Sequence, residues 1–293
     1  MMILERRNAH ARDLLIKRKV HCHGYNITGF EDTTFTSVTT WVGEHFGKFD
    51  PDKVIPLMMR GKKWNELHEC WGMAPAEIKQ HWSEKGRVAA EMGTALHDRI
   101  EVFMNRIGTE TGVIDHSRLL KTVGRNLPRL TGKRRRVGVD AEEAEEAEEE
   151  GVEVEEEPIE WEYFLSFLED TQHLVPFRTE WMVFHEEWGL AGCIDMVYVN
   201  DDGTLSIYDW KRCTKLTAEP SRWDKPCLSK HMPHVTDTKF NHYALQINVY
   251  KAILEAKYGF VVRDMCLVQL HPENDSYRIL PLPDMSSEIA LLV

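Results

Sequence analysis

At 293 residues, 42% hydrophobic and 29% charged, the chain has a globular composition, enough for one large domain or two small ones. No stretch approaches the roughly 18 consecutive apolar residues of a membrane span, and the charged start MMILERRNAHARDLLIKRKV does not read as a signal peptide. The net charge of −12 argues against a nucleic-acid partner only until its source is found: residues 140–157 hold one Asp, eleven Glu and no Lys or Arg, so the rest of the chain is neutral and can carry a local basic groove.

In chain order, His21 to Thr40 reads as a short extended pair, rich in Thr with Gly at its turns. Helical spacing dominates from Pro51 to near Leu120, most clearly from Glu84 to Ile107. Residues 131–158, TGKRRRVGVDAEEAEEAEEEGVEVEEEP, are low in complexity. Like charges this dense repel, which predicts a disordered, solvated insertion; mimicry of nucleic acid or shielding of a basic groove is the sharper reading. Pro158 opens a helix to Gln172 that spaces Trp161, Phe164, Leu165 and Leu168 on one face. Strands are expected near 177–187, 191–199 and 204–212, then a helix from Phe240 to Tyr258 stopped by Gly259. Strands near 262–270 and 276–281 follow, and the final EIALLV reads as a helix docked on the core. Mixed strands with flanking helices make an α/β fold. We read one domain, with a mostly helical part over 1–130, the acidic insertion over 131–158 and an α/β core over 159–293.

VNDDGTL at 199–205 is a turn signal between two β-rich runs. Paired positions of an antiparallel hairpin have a constant sum, about 404 for a turn centred near Asp202, which sets Asp195 opposite Asp209 with Cβ atoms about 5 Å apart. The flanking Cys193, Ile194, Met196, Val197, Ile207 and Tyr208 deny these carboxylates a solvated setting. Burial worsens their repulsion, so a cation is required or one group stays protonated. Mg²⁺, a hard ion that prefers oxygen ligands, suits the pair. Strand alternation puts Lys211 on the face of Asp209, within reach of a phosphate or a metal-bound water. A surface hairpin with an ordinary salt bridge is disfavoured, because both strands are apolar on both faces.

In GRVAAEMGTALHDRIEVF (86–103), Gly93, His97 and Glu101 share a helix face. The glycine permits close approach of another backbone, and the imidazole can complete a metal shell, although packing is the commoner role of such a histidine. Gln246 and Tyr250 place an amide and a phenol on one face of a later helix, where packing is again the commoner role. Glu180, near the start of the first long strand, says nothing alone.

In order, these segments read GxxxH, Glu, GxxD, DxK and QxxxY, at Gly93 and His97, Glu180, Gly192 and Asp195, Asp209 and Lys211, and Gln246 and Tyr250. The set resembles the PD-(D/E)XK nuclease superfamily and, within it, the RecB-type branch, which includes the mitochondrial genome maintenance exonuclease. TSVTTWVGEHFGKFD (36–50) is similar to the Ser-Val-Thr-Thr opening of single-domain members. The resemblance covers most of the chain outside 131–158. It implies a restriction-endonuclease-like core with a central mixed β-sheet flanked by helices. It further implies that Asp195 and Asp209 hold one or two Mg²⁺ or Mn²⁺ ions, with the Trp210 carbonyl and His97 as further ligands. Lys211 would position or activate the attacking water, and Glu180 would brace the catalytic set. Gln246, Tyr250, Gly93 and Arg212 would support the site or contact the nucleic-acid backbone. The implied activity is phosphodiester hydrolysis leaving 5′-phosphates, by an exonuclease on DNA ends or single strands in replication, repair or recombination.

DNA is the expected partner, with no membrane. The sequence has no Walker A motif, so no helicase motor of its own is expected, and a separate helicase or recombination protein stays open as a partner. Cysteines at 22, 70, 193, 213, 227 and 266 show no CxxC spacing. They read as reduced thiols of an intracellular protein, and no iron–sulfur cluster is expected. The rivals are a structure-specific endonuclease, an inactive nucleic-acid-binding module of the same fold, and a zinc protein built on His21, Cys22, His23, His68 and Cys70. The last is weak, since alternation splits His-Cys-His across two strand faces. Trp181, Trp188, Trp210 and Trp223 are candidates for stacking on unpaired bases, with core packing favoured. RNA stays open as a substrate, because such a site reads phosphate rather than sugar.

Overall fold

The computed structural model describes residues 2–19, 24–106, 157–219 and 225–293. A short helix α1 (Ile3–Arg7) and a 3-10 turn (Ala11–Leu14) lead into an antiparallel hairpin of β1 (Ile16–Arg18) and β2 (Tyr25–Ile27). β3 (Thr36–Ser37) runs into α2 (Val38–Glu44), followed by α3 (Pro51–Met59) and the long α4 (Pro75–Arg106). After residues 107–156 come α5 (Ile159–Asp170), β4 (Val175–His185), β5 (Leu190–Val199) and β6 (Leu205–Lys211). The chain continues with α6 (Lys239–Lys257), β7 (Val262–Gln269), β8 (Arg278–Pro281) and α7 (Ser286–Leu292).

The expected later elements are present with shifted ends, and two early expectations are corrected. Thr39 and Thr40 are helical rather than extended, because the Ser37 side chain accepts the Thr40 N–H at 3.1 Å and caps α2. The long helix starts at Pro75 rather than near Glu84, where the Glu77 carboxylate accepts the Ala74 N–H at 2.6 Å, one half of a capping box. Gly259 does end α6, with φ 74°. Ile289 of α7 is buried in the core. The acidic segment lies outside the described residues apart from Glu157 and Pro158; Arg99 of α4 donates to the Glu157 carboxylate at 2.7 Å. Among the described residues, no helix is long and apolar enough to cross a membrane.

One mixed sheet positions everything else. β4 pairs antiparallel along one edge of β5, from Val175–Val199 to His185–Leu190. The other edge of β5 is shared: β3 runs parallel beside Leu190 and Ala191, and β6 antiparallel beside Met196 to Val199. Between them, the Gly192–Asp195 stretch has no strand on that edge among the described residues. α6 connects β6 to β7, which pair in parallel, and β8 closes the far side antiparallel. Both faces are covered, as continuous apolar strands require. α6 packs on Trp181, Val183, Ile194 and Ile207, while α4 and α5 pack on Met196, Tyr198, Tyr208, Trp210 and Val268.

Gly192 sets how closely α6 approaches. A Cβ built there would lie 2.5 Å from Tyr250 Cε1 and 2.8 Å from its hydroxyl, and that ring is buried. Gly93, expected to admit another backbone, instead meets nothing within 4 Å. The two glycines therefore predict opposite outcomes. Gly192→Ala overpacks the sheet–helix contact and costs about 1–3 kcal/mol, whereas Gly93→Ala gains helix propensity and stabilises by about 0.5–1 kcal/mol. Denaturant unfolding of both variants checks the pair.

Candidate active site

β5 and β6 keep the expected register, with every pair from Val199–Leu205 to Met196–Tyr208 summing to 404. The ladder ends one step short of Asp195 and Asp209. There β6 leaves β5 and stays with β7 as far as Lys211–Gln269. The Asp195 side chain fills the resulting fork: its Oδ2 accepts the Trp210 N–H at 3.0 Å. His97 of α4 reaches the same peptide from the other side, its Nε2 donating to the Trp210 carbonyl at 3.0 Å. A carbonyl only accepts, so in neutral His97 the proton sits on Nε2 and the Nδ1 lone pair is free. Nδ1 lies 3.4 Å from Asp195 Oδ2 and 4.0 Å from Glu180 Oε1.

Glu180 reaches this point through a fault in the sheet. The flanking pairs Thr179–Met196 and Trp181–Ile194 place it across from Asp195. Its φ is 42°, the one positive value among the described non-glycine residues. Alternation breaks on both strands there. Thr179 takes a hydrogen bond from Asn105 of α4 at 2.8 Å, while Trp181 packs under α6; likewise Met196 and Ile194 lie in different layers. Asp13 braces the fault, accepting from Arg178 Nη1 at 2.7 Å and from Trp181 Nε1 at 2.9 Å.

The electrostatics are unbalanced. Burial, then the nearby Asp195, push the Glu180 carboxyl up to about 7, against the Cys193 thiol that donates to it at 3.2 Å. Asp209 is fully buried, and burial with Asp195 pushes it up to about 6 despite Lys211. Neither of its oxygens accepts a conventional hydrogen bond; its compensation is direct contact with the Lys211 ammonium. Burial works against that ammonium, but Asp209 and Asp195 outweigh it and raise its pKa. Tyr243 of α6 places its ring under the nitrogen at 4.6 Å. Asp195 and Asp209 thus act on one lysine, with Glu180 beside Asp195, and negative charge outweighs positive in a way that a divalent cation would offset.

The donor set fits such an ion. Ligand atoms of His97, Glu180 and Asp195 all lie within 4.8 Å of one another, and oxygen donors with one imidazole suit a hard divalent ion. Of the expected ligands, Asp209 is not in this group, because its carboxylate is turned to Lys211. The Trp210 carbonyl is adjacent and keeps one lone pair beside the His97 bond. Glu180, Asp195 and His97 line a cleft of about 740 Å³, together with Gly93, Gln246 and Tyr250. Gln246 donates to the Tyr250 hydroxyl at 3.3 Å. Arg212 does not line the cleft and is tied to Glu160 of α5 at 2.6 Å.

Among the described residues, three of the candidate tryptophans are engaged in packing. Trp181 and Trp210 are buried, and Trp188 is stacked on His185 at 3.7 Å between centroids. Trp223 lies outside the described residues, as do His21, Cys22 and His23 of the zinc rival. Cys70, Cys193, Cys213, Cys227 and Cys266 are free thiols. Sequence reading missed Cys193 and Tyr243, although both carried a signal: Cys193 is two residues from Asp195 on one strand, and Tyr243 shares a helix face with Gln246 and Tyr250.

Two outcomes follow from this geometry. Mg²⁺ or Mn²⁺ raises the melting temperature in proportion to the logarithm of its concentration, EDTA reverses the rise, and Asp195→Ala abolishes it. Glu180→Gly relieves a left-handed backbone worth about 1–3 kcal/mol and removes one carboxylate, so it raises the melting temperature of the metal-free protein. Scanning calorimetry of the three proteins reads both effects.

The family model of the PD-(D/E)XK nuclease superfamily matches residues 74–276. The crystal structure of SSO0001 is similar over 44% of this chain and 52% of that one, at 16% identity and a TM-score of 0.24. The match thus spans about half the length of that protein, and a likeness of this size adds nothing to the assignment. A search of curated protein sequences gives no significant match. The matched segment is more than half of the chain and takes in His97, Glu180, Asp195, Asp209 and Lys211, so the chain belongs to the PD-(D/E)XK nuclease superfamily, whose members are nucleases that use divalent metal ions.

Proposed function

We propose that the protein is a Mg²⁺- or Mn²⁺-dependent deoxyribonuclease of the RecB-type branch, an exonuclease that acts on DNA ends or single strands in repair or recombination. The observation that carries this reading is the convergence of His97, Glu180 and Asp195 at the strand fork, beside the Asp209–Lys211 pair. His97, Glu180 and Asp195 would hold a divalent ion, which would supply positive charge for the phosphate and a water of lowered pKa. The chain's own groups do the positioning. The Lys211 ammonium has three N–H donors; it is held against Asp209, and its remaining donors would serve the attacking water and a phosphate oxygen. Tyr243 and Asp209 together fix where that ammonium sits. In the reaction, water oxygen bonds to phosphorus, the bond to the 3′ oxygen breaks, and the products are a 5′-phosphate and a 3′-hydroxyl. α4, α6 and the N-terminal hairpin all contribute to the lining of the cleft.

Cleavage of 5′- and 3′-labelled single- and double-stranded DNA, with a parallel RNA set, tests the reading in Mg²⁺, Mn²⁺ and EDTA. Expected are metal-dependent release of short 5′-phosphorylated products from DNA ends and resistance of circular single strands. Asp209→Ala and Lys211→Ala each lose about 10²–10³-fold in kcat, the range seen when one preorganised charge-stabilising group is removed. Cutting of circular strands would make it an endonuclease. Pure protein that cuts neither polymer would leave an inactive binding module.

A further inference from the structure

The carboxylates that make the site suitable for a cation make it hostile to a polyanion. A strand must bring several phosphates past Glu180 and Asp195 before any bond can be cut. Among the described residues, only two cations line the cleft, Arg18 and Lys19. They come from neither the main sheet nor its helices. Arg18 ends β1 and Lys19 follows it, in the separate two-stranded hairpin that precedes the family-matched segment.

The hairpin is built to hold them in place. Its register is Ile16–Ile27, Lys17–Asn26 and Arg18–Tyr25, and the Lys19 N–H donates to the Gly24 carbonyl at 2.9 Å. Ile16, Tyr25 and Ile27 are buried with Phe35 against Phe184 and Ala191 of the main sheet, which fastens the ribbon to β4 and β5. Arg18 donates to the Tyr25 phenol and senses Glu180 across the cleft. Other partly or fully buried arginines are already committed: Arg12 to Glu186, Arg99 to Glu157, Arg178 to Asp13 and Arg212 to Glu160. Arg18 and Lys19 are exposed and, among the described residues, pair with no carboxylate in this way.

We propose that the β1–β2 hairpin is a strand-positioning clamp, in which Arg18 and Lys19 bind backbone phosphates beside the bond that is cut at the carboxylate cluster. The guanidinium fork matches two phosphate oxygens, and the ammonium adds a point charge to the neighbouring phosphate. Both offset the repulsion of the acidic floor and steer the strand inward. Arg18 and Lys19 are positioning residues and take no part in bond breaking. The clamp rests on the nuclease reading.

The test is fluorescence anisotropy of a labelled single-stranded oligonucleotide with Ca²⁺ replacing Mg²⁺, across a salt series, on wild type and Arg18→Ala/Lys19→Ala. Expected is a loss of affinity of about tenfold or more at low salt, with a salt slope shallower by about 0.7 for each lost phosphate contact. In Mg²⁺, KM rises by more than kcat falls. Arg18→Lys/Lys19→Arg, which keeps the charges, restores the slope. The metal-induced rise in melting temperature is kept by the alanine variant. Unchanged affinity, slope and KM in a variant of an active enzyme would overturn the clamp alone. Loss of the metal-induced rise would also overturn it, by making the two cations supports of the metal site. Wild-type protein that neither binds nor cuts would remove the nuclease reading and the clamp with it.

Discussion

The site depends on how one peptide unit is held. Trp210 donates its N–H to Asp195 and offers its carbonyl to His97, while its ring lies edge-on between Phe164 at 5.5 Å and Phe167 at 5.4 Å. In a continuous ladder that N–H would point at β5. Here β5 and β6 have parted, and a buried N–H without a partner would be costly. The Asp195 carboxylate replaces the missing strand. The aromatic core of α5 thus fixes the anchor, and the anchor fixes a carboxylate and an imidazole. Alternation then puts Asp209 and Lys211, on either side of Trp210, together on the opposite face.

Charge is arranged against stability. Asp209 lies against Lys211 and Glu180 beside Asp195, burial disfavours ionisation of Glu180 and Asp209, and Glu180 reaches its place from a left-handed backbone. Such features persist only where the surroundings over-determine them. The surrounding core is large and aromatic: Trp161, Phe164, Phe167, Trp181 and Trp210 are all buried. A cation is the natural counterweight, and the same charge excess explains why a substrate strand needs cations of its own at the rim.

The register leading towards Asp195 and Asp209 was legible because a tight turn transmits register without slippage, and the constant sum holds as far as Met196–Tyr208. The same arithmetic applied to the preceding turn, where His185 pairs with Leu190, would have put Glu180 across from Asp195; the signal was present and unused. The fork was not legible, since alternation assumes that the strands stay together. Arg212 misled through adjacency. One residue past Lys211 and the end of β6, it turns to the other side and meets Glu160. Gly93 misled because a glycine on a helix face signals close approach or open space equally well, and here it is open space. The helical start at Val38 was hidden by threonines that favour strands, and the Ser37 cap overrode them.

The superfamily match begins at residue 74, yet the site does not. Asp13 grips Arg178 and Trp181, and Asn105 grips Thr179 while also accepting the Leu4 N–H at 3.1 Å. Three of the four nearest neighbours of Glu180 on β4 are therefore pinned by the N-terminal segment or by the helix that this segment contacts. The strained backbone at Glu180 lies between those attachments, so the segment before the matched core holds the fault in place. The hairpin that follows Asp13 then brings Arg18 and Lys19 to the same cleft. The described part of the N-terminal segment up to Thr39 thus joins the candidate site: Asp13 braces the strand that carries Glu180, and Arg18 to Thr39 contribute to the lining of the cleft.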